Sequence, residues 1–221
     1  MANFKNPVAL ITGAGRGVGR ALALALAEEG AIIAANDITP INLDETLAQI
    51  LQTGGQAKDY VTDISKKMPV QAMLNEIIDD WGRIDILINN AHVDPHKSIL
   101  DLDEWDWRRA VDVNLTGPFL TTQSVARIMK AAGGGIIINV FSGQAGHAAL
   151  KASQMGLIDF TISAAAEFSA YNIRVYALAP VSLGLPLTKL DSLSQIRDIV
   201  NYLCSAEAEN VQGKVIAAKY P

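Results

Sequence analysis

A single cysteine, Cys204, stands in 221 residues, so no intrachain disulfide can form. That fits a reducing compartment. Positive charge is also scarce: 18 Lys and Arg face 23 Asp and Glu, for a net charge of −5. With no basic cluster to offset it, this balance argues against a nucleic-acid partner. No apolar stretch approaches the roughly 20 residues of a spanning helix, which argues against a membrane partner. Met1-Ala2-Asn3-Phe4-Lys5-Asn6 lacks the pattern of a leader and runs straight into an apolar segment. The expectation from these absences is a cytoplasmic chain. What is present is apolar bulk: half of the residues are hydrophobic. A chain of this length buries most of that surface without staples, and it fits one large domain over 1–221.

Short apolar runs alternate with longer helical patterns. Val8–Thr12, Ala31–Asn36, Gln56–Val61, Ile84–Ile88, Gly135–Phe141, Arg174–Ala179 and Lys214–Ala217 read as strands. Several are apolar throughout, as strands are when helices cover both faces of the sheet. Gly17–Glu29, Asn42–Thr53, Pro69–Trp81, Glu104–Lys130, Ser153–Tyr171 and Leu193–Ser205 read as helices. Gly30 and Gly82 stand where helix ends need a left-handed residue. This alternation predicts an α/β fold: a Rossmann-like, doubly wound parallel sheet of about seven strands with helices on both faces. Gly133-Gly134-Gly135 reads as a helix-to-strand connection within the same domain.

Directly after the first apolar run, Thr12 to Gly19 reads T-G-A-G-R-G-V-G. Glycines there let the backbone turn sharply and approach a pyrophosphate, whose charge then sits on the next helix N-terminus. Asp37 closes the second strand about 20 residues later, where a carboxylate can accept the adenosine ribose hydroxyls. It would repel a 2′-phosphate, which favours NAD over NADP. Arg16 pulls weakly the other way. Gly13, Arg16, Gly17, Val18, Gly19 and Asp37 are the candidate cofactor residues of this half.

With these motifs in order, the chain resembles the short-chain dehydrogenase/reductase family from about Asn6 to Ala217. The resemblance implies that Asp63, in T-D-I with Ile64, contacts the adenine. Asn89-Asn90-Ala91 matches the family's N-N-A-G, so Asn90 and Ala91 join the cofactor set, with His92 in the glycine's place. Asn114, in V-N-L-T-G, looks like the catalytic-site asparagine. Ser142, after Ile138-Asn139-Val140-Phe141, looks like the serine that orients the substrate oxygen.

The family also uses a tyrosine as proton donor and a lysine that lowers the tyrosine pKa. The stretch Ala152-Ser153-Gln154-Met155-Gly156-Leu157-Ile158-Asp159-Phe160-Thr161 matches the family's A-S-K-A-G-L-x-x-F-T. That register puts Leu150 at the tyrosine position and Gln154 at the lysine position. Leucine transfers no proton, and Gln154 supplies no positive charge. Losing a positioned acid removes about 10² to 10⁴ in rate. Three further departures lie nearby. The segment between Ser142 and Leu150 is short, Leu185 replaces the threonine that holds the carboxamide, and the helical lid after Pro186 is almost absent.

Two function classes follow. In one, the chain binds NAD(H) but is impaired or inactive as an oxidoreductase, a pseudoenzyme with a structural or regulatory part. In the other, it is an active NAD-dependent oxidoreductase on a CH-OH or C=O group, with His147 as an unusual acid and Lys151 four residues on. A third reading has no nucleotide at all, the glycines serving only the turn. His92 and His96 suggest a metal pair, but Pro95 interrupts any helical turn between them. No third ligand is evident, so no metal is expected. Trp105 and Trp107 read as packing residues. The apolar faces of Glu104–Lys130 and Ser153–Tyr171 exceed what one sheet face requires, and the family pairs these helices. A homodimer or homotetramer is expected.

Overall fold

A computed structural model describes residues 6–142, 147–180 and 195–218. Seven parallel strands form one sheet in the order β3-β2-β1-β4-β5-β6-β7. They are β1 (Val8–Thr12), β2 (Ile32–Asp37), β3 (Gln56–Val61), β4 (Ile86–Asn89), β5 (Gly135–Val140), β6 (Ile173–Pro180) and β7 (Val215–Ala218). Between them run α1 (Gly17–Glu28), α2 (Ile41–Gln52), α3 (Lys67–Trp81), α4 (Glu104–Val111), α5 (Gly117–Ala132), α6 (Ala148–Phe168) and α7 (Ile196–Leu203). The predicted doubly wound fold is the observed one. Strand order reverses between β1 and β4, which opens a crevice at the carboxyl edge of the sheet.

Alternation of side chains along each strand divides the core into two layers. On one face Ala9, Ile11, Ile33, Ile86, Ile88, Ile136 and Ile138 pack with Leu22 and Leu26 of α1, Leu43 and Ile50 of α2, and Ile199 and Leu203 of α7. On the other, Val8, Leu10, Leu87, Ile137 and Val175 pack with Val70 and Ile77 of α3, Val125 and Met129 of α5, and Ala164 and Ala165 of α6. Full burial of both faces is why these strands read as unbroken apolar runs. Gly82 and Gly133 cap their helices in the left-handed region, as the sequence predicts for Gly82. No helix among the described residues is long and apolar enough to cross a membrane.

Three expectations are corrected. The helix expected over Glu104–Lys130 is interrupted by a π-helical turn at Asp112–Thr116, which separates α4 from α5. The helix expected from Ser153 begins at Ala148, so Ser153 lies inside it. Its hydroxyl donates back to the carbonyls of Ala149 and Leu150, a mid-helix use of serine. Trp105 and Trp107 are exposed rather than packed, with the Arg109 guanidinium 5.6 Å from the Trp105 ring.

Candidate functional site

The carboxyl edge gathers the sequence-predicted residues onto successive strand ends. Gly13 to Gly19 follow β1, Asp37 ends β2, Asp63 and Ile64 follow β3, Asn90 and Ala91 follow β4, and Ser142 follows β5.

The loop after β1 is built around two backbone demands. Gly13 has φ +66°, and a Cβ there would lie 2.9 Å from the Ala91 Cα. At Gly19, on the first turn of α1, an added Cβ would lie 2.1 Å from the Gly13 carbonyl oxygen. Nothing larger than glycine fits there, so the helix and loop approach more closely than side chains allow. Gly17, also left-handed at φ +55°, faces open space. Arg16 occupies the N-cap of α1 and gives no side-chain hydrogen bond to it. The leading N–H groups of α1 therefore lack a side-chain acceptor, the condition under which a helix N-terminus receives an anion. Val18 is half-buried against the core.

Asn90 and Thr12 lock β1 to β4 under this loop. Asn90 Nδ2 donates to the carbonyls of Thr12 and Gly13, each at 3.1 Å. The Thr12 hydroxyl accepts from the N–H groups of Asn90 and Ala91. Asp37 Oδ2 accepts from the Gly15 N–H at 3.1 Å, and Oδ1 accepts from the Ile38 N–H. The carboxylate is therefore oriented by backbone donors while half-buried. Arg20, missed from the sequence, donates to the Gly15 carbonyl and pairs with Glu45 of α2 at 2.8 Å. It ties the glycine loop to α2, and that leaves Arg16 as the exposed cation of the loop. Asp63 Oδ1 accepts from the Ser65 N–H and hydroxyl. Ile64 is buried against Gly117 at the start of α5.

On the β4–β5 side, Asn114 lies inside the π turn. Its Oδ1 accepts from the Val93 N–H at 2.8 Å, and its Nδ2 donates to the Val93 carbonyl at 2.9 Å. The side chain thus satisfies both backbone groups of a segment with no ladder partner. Nδ2 also donates to the Ser153 hydroxyl at 3.1 Å. A single π turn carrying such a residue is a common mark of a functional position. Beneath it, buried Asn89 donates to Thr122 and Asn139 and accepts from Thr121, while Asn139 donates to Thr161. This network fastens α5 and α6 to β4 and β5.

Ser142 is buried at the end of β5. Leu150 and Gln154 share the buried side of α6, at 1% and 4% exposure. Lys151 lies on the exposed side, so it does not join them. His147 is the N-cap residue of α6. Its ring Nδ1 is 3.2 Å from Asp94 Oδ2, and its N–H donates to the same oxygen at 3.3 Å. His92 instead places Nδ1 3.0 Å from the Asn90 carbonyl. Burial opposes ionisation of Asp94, yet hydrogen bonds from the His96 N–H and from His147 hold its carboxyl below the usual range. Leu185 and the expected short lid lie outside the described residues, as does most of the shortened segment before His147.

Residues 7–192 match the family model for short chain dehydrogenases. The chain is 32% identical to the 3-oxoacyl-[acyl-carrier-protein] reductase FabG of Thermotoga maritima, with 96% of each chain covered. The structure of an NAD+-bound xylitol dehydrogenase matches with a TM-score of 0.86 and 27% identity, over 97% of this chain and 98% of that one. That of a metagenomic short-chain oxidoreductase in complex with NADP matches with a TM-score of 0.85 and 28% identity, over 98% and 99%. Strand order, glycine loop, Asn90 lock and Asn114 turn together with these matches establish that the chain belongs to the short-chain dehydrogenase/reductase family.

Proposed function

We propose that this chain binds NAD(H) at the carboxyl edge and is impaired as an oxidoreductase. In this reading Gly13, Gly17, Val18 and Gly19 hold the pyrophosphate on the N-terminus of α1. Asp37 accepts the adenosine ribose hydroxyls, Asp63 and Ile64 flank the adenine, and Asn90 and Ala91 support the cofactor from β4. The uncapped first turn of α1 and the oriented Asp37 carboxylate fit such a ligand. Family relatives with bound nucleotide carry NAD+ in one case and NADP in another. Asp37 favours the unphosphorylated form here. The bound nicotinamide would supply or accept hydride.

The observation that carries impairment is the pair Leu150 and Gln154, buried on α6 beside the Asn114–Ser153 contact. Neither side chain can give up a proton or hold a positive charge at neutral pH. Ser142 and Asn114 remain to orient an oxygen without a donor to protonate it. The comparison with the Thermotoga reductase runs over 236 positions against a chain of 221. This chain thus lacks residues that relative has, in line with shortened segments around the reacting end.

Calorimetric titration of NADH against ADP-ribose tests the reading. Similar affinities are expected, because the nicotinamide half contributes little. Clearly tighter NADH would overturn the impairment, and no heat from either ligand would overturn nucleotide binding itself.

One observation favours an active enzyme instead. The His147 ring is aligned on Asp94 as an acid–base imidazole is on its carboxylate, although Lys151 does not accompany it. An unchanged turnover in His147→Ala, in any assay where hydride transfer is detected, would eliminate that acid. Self-association is the remaining part of the proposal. Phe119 of α5 and Met155 and Ile162 of α6 are exposed apolar residues on the paired helices. They support a homodimer or homotetramer, and a monomer in sedimentation at micromolar concentration would contradict it.

A further inference from the structure

Asp94, His96 and His147 each offer one ligand atom, and the three atoms lie within 4.8 Å of one another. From this geometry we infer that they form a binding site for a divalent transition-metal ion of the zinc class. The inference is independent of the nucleotide reading, and its test needs no nucleotide.

The carboxylate is already set for the role. Asp94 is held in the irregular segment between β4 and α4, and its side chain is 7% exposed. Oδ1 accepts from the His96 N–H at 3.0 Å, and Oδ2 accepts from the His147 N–H at 3.3 Å. Backbone donors thus orient it, as outer partners orient metal ligands in general. Oδ2 also faces two imidazoles, with Nδ1 of His147 at 3.2 Å and Nδ1 of His96 at 3.7 Å. Ligand atoms bound to zinc at about 2.0 to 2.1 Å in a tetrahedron stand about 3.3 Å apart. The two measured edges bracket that value. The third closes by rotation of the His96 ring, which is largely exposed and meets the His147 ring edge-on at 5.4 Å.

Two further features belong to the same arrangement. His96 adopts φ +55°, a left-handed conformation that favours glycine. This turn brings its ring back over Asp94, so backbone strain is spent on assembling the cluster. The neighbouring cation does not compete for the carboxylate: Lys97 is engaged by Asp103 and Asp106. Two imidazoles and one carboxylate suit zinc, copper, nickel or iron rather than the all-oxygen preference of calcium or magnesium. Three protein ligands leave a position for water or another small oxygen donor. Of the ligands, Asp94 directly follows Val93, the partner of Asn114, and His147 stands about one helical turn before Leu150. An ion there would also clamp the β4–α4 segment to the start of α6, 53 residues apart in sequence.

Cobalt(II) titration of the metal-stripped full chain, followed by its visible ligand-field bands, tests the inference, with thermal unfolding as a second readout. One saturating equivalent is expected, together with a rise in Tm that grows with added Zn2+. His147→Ala and His96→Ala should each weaken binding at least about tenfold, and His92→Gln should leave it unchanged. The buried thiol of Cys204 cannot supply the signal without unfolding. No saturable binding, or binding that survives both histidine substitutions in a folded chain, would overturn the site. Equal weakening by His92→Gln would mean general surface histidine binding and overturn it as well.

Discussion

The glycine loop and the start of α6 face the same crevice, yet they are built to different standards. Around the loop, every close approach is matched by a residue that allows it: Gly13 against Ala91, Gly19 against Gly13, and Asp37 receiving the Gly15 N–H. Around the start of α6, the buried positions hold Leu150 and Gln154, and the one imidazole turns toward Asp94. The first region has the steric and electrostatic form of an anion cradle. The second has an intact hydrogen-bonded frame, through Asn114 and Ser153, around side chains without acid–base capacity. The framework and the side chains it encloses rest on different interactions. The frame depends on buried amides and hydroxyls, whereas Leu150 and Gln154 are buried there without acid–base capacity.

Gly19→Ala strikes the glycine loop at its tightest contact. The new Cβ would sit 2.1 Å from the Gly13 carbonyl oxygen and 2.5 Å from Asn90 Nδ2. Neither backbone nor a hydrogen-bonded amide gives way easily, so a loss of about 3 kcal/mol is expected. Denaturant unfolding should show it, with nucleotide heats abolished. A variant that binds NADH normally would mean the loop is not the cradle.

Leu150→Tyr with Gln154→Lys tests the other region. Leu150 is fully enclosed, so the larger ring overpacks its site at a cost of about 1 to 3 kcal/mol. A lower Tm and no gain in hydride transfer are expected. If reductase activity appears with stability unchanged, the pocket around α6 has kept its original shape, and the two regions differ in two residues only.

Much of this contrast is legible in the sequence, and the limits have physical causes. The limits of β1, where an apolar run meets turn residues, and those of β3 are read from the sequence, and the structure places them there. Register in the glycine loop and on α6 comes from local motif spacing. The start of α6 is expected too late because its N-cap, His147, makes no side-chain bond to the helix and is not a residue type that marks a helix start. The π turn is hidden from a local reading, because the contact its Asn114 makes, with Val93, spans 21 residues. The Asp94 cluster is hidden for the same reason. A search along one segment finds His92 and His96, and the fold supplies His147 from 53 residues away while turning His92 aside.

A smaller effect is expected from Asp37→Asn. The amide oxygen can still accept from the Gly15 N–H, so the loop should keep its shape, but the amide nitrogen cannot accept from the Ile38 N–H as Oδ1 does. Beyond that exposed backbone bond, the charge toward the ribose is lost, and a hydrogen bond to a charged group contributes about 1.5 kcal/mol or more. NADH affinity should fall about tenfold, and discrimination against NADPH should relax because the carboxylate no longer repels a 2′-phosphate. Parallel titrations of the two cofactors measure both. An unchanged preference would shift the cause of selectivity to Arg16 or to the rest of the pocket.

The smallest effect expected is on Cys204, and it asks how far the altered region extends. This thiol follows α7 and is buried in the same layer as Leu22 and Leu26 of α1. Burial pushes its pKa up to about 12, with Arg174 opposing the shift. At pH 8 a thiol of that pKa is roughly 10⁻⁴ thiolate, and thiolate is the reactive form. Native protein should therefore resist an aromatic disulfide reagent until denaturant opens the core. If the departures beyond β6 loosened the packing of α7, labelling would be fast in the absence of denaturant. Slow labelling, at a rate set by unfolding, would confine the difference between the two regions to the crevice and leave the sheet and its two helical layers equally sound beneath both.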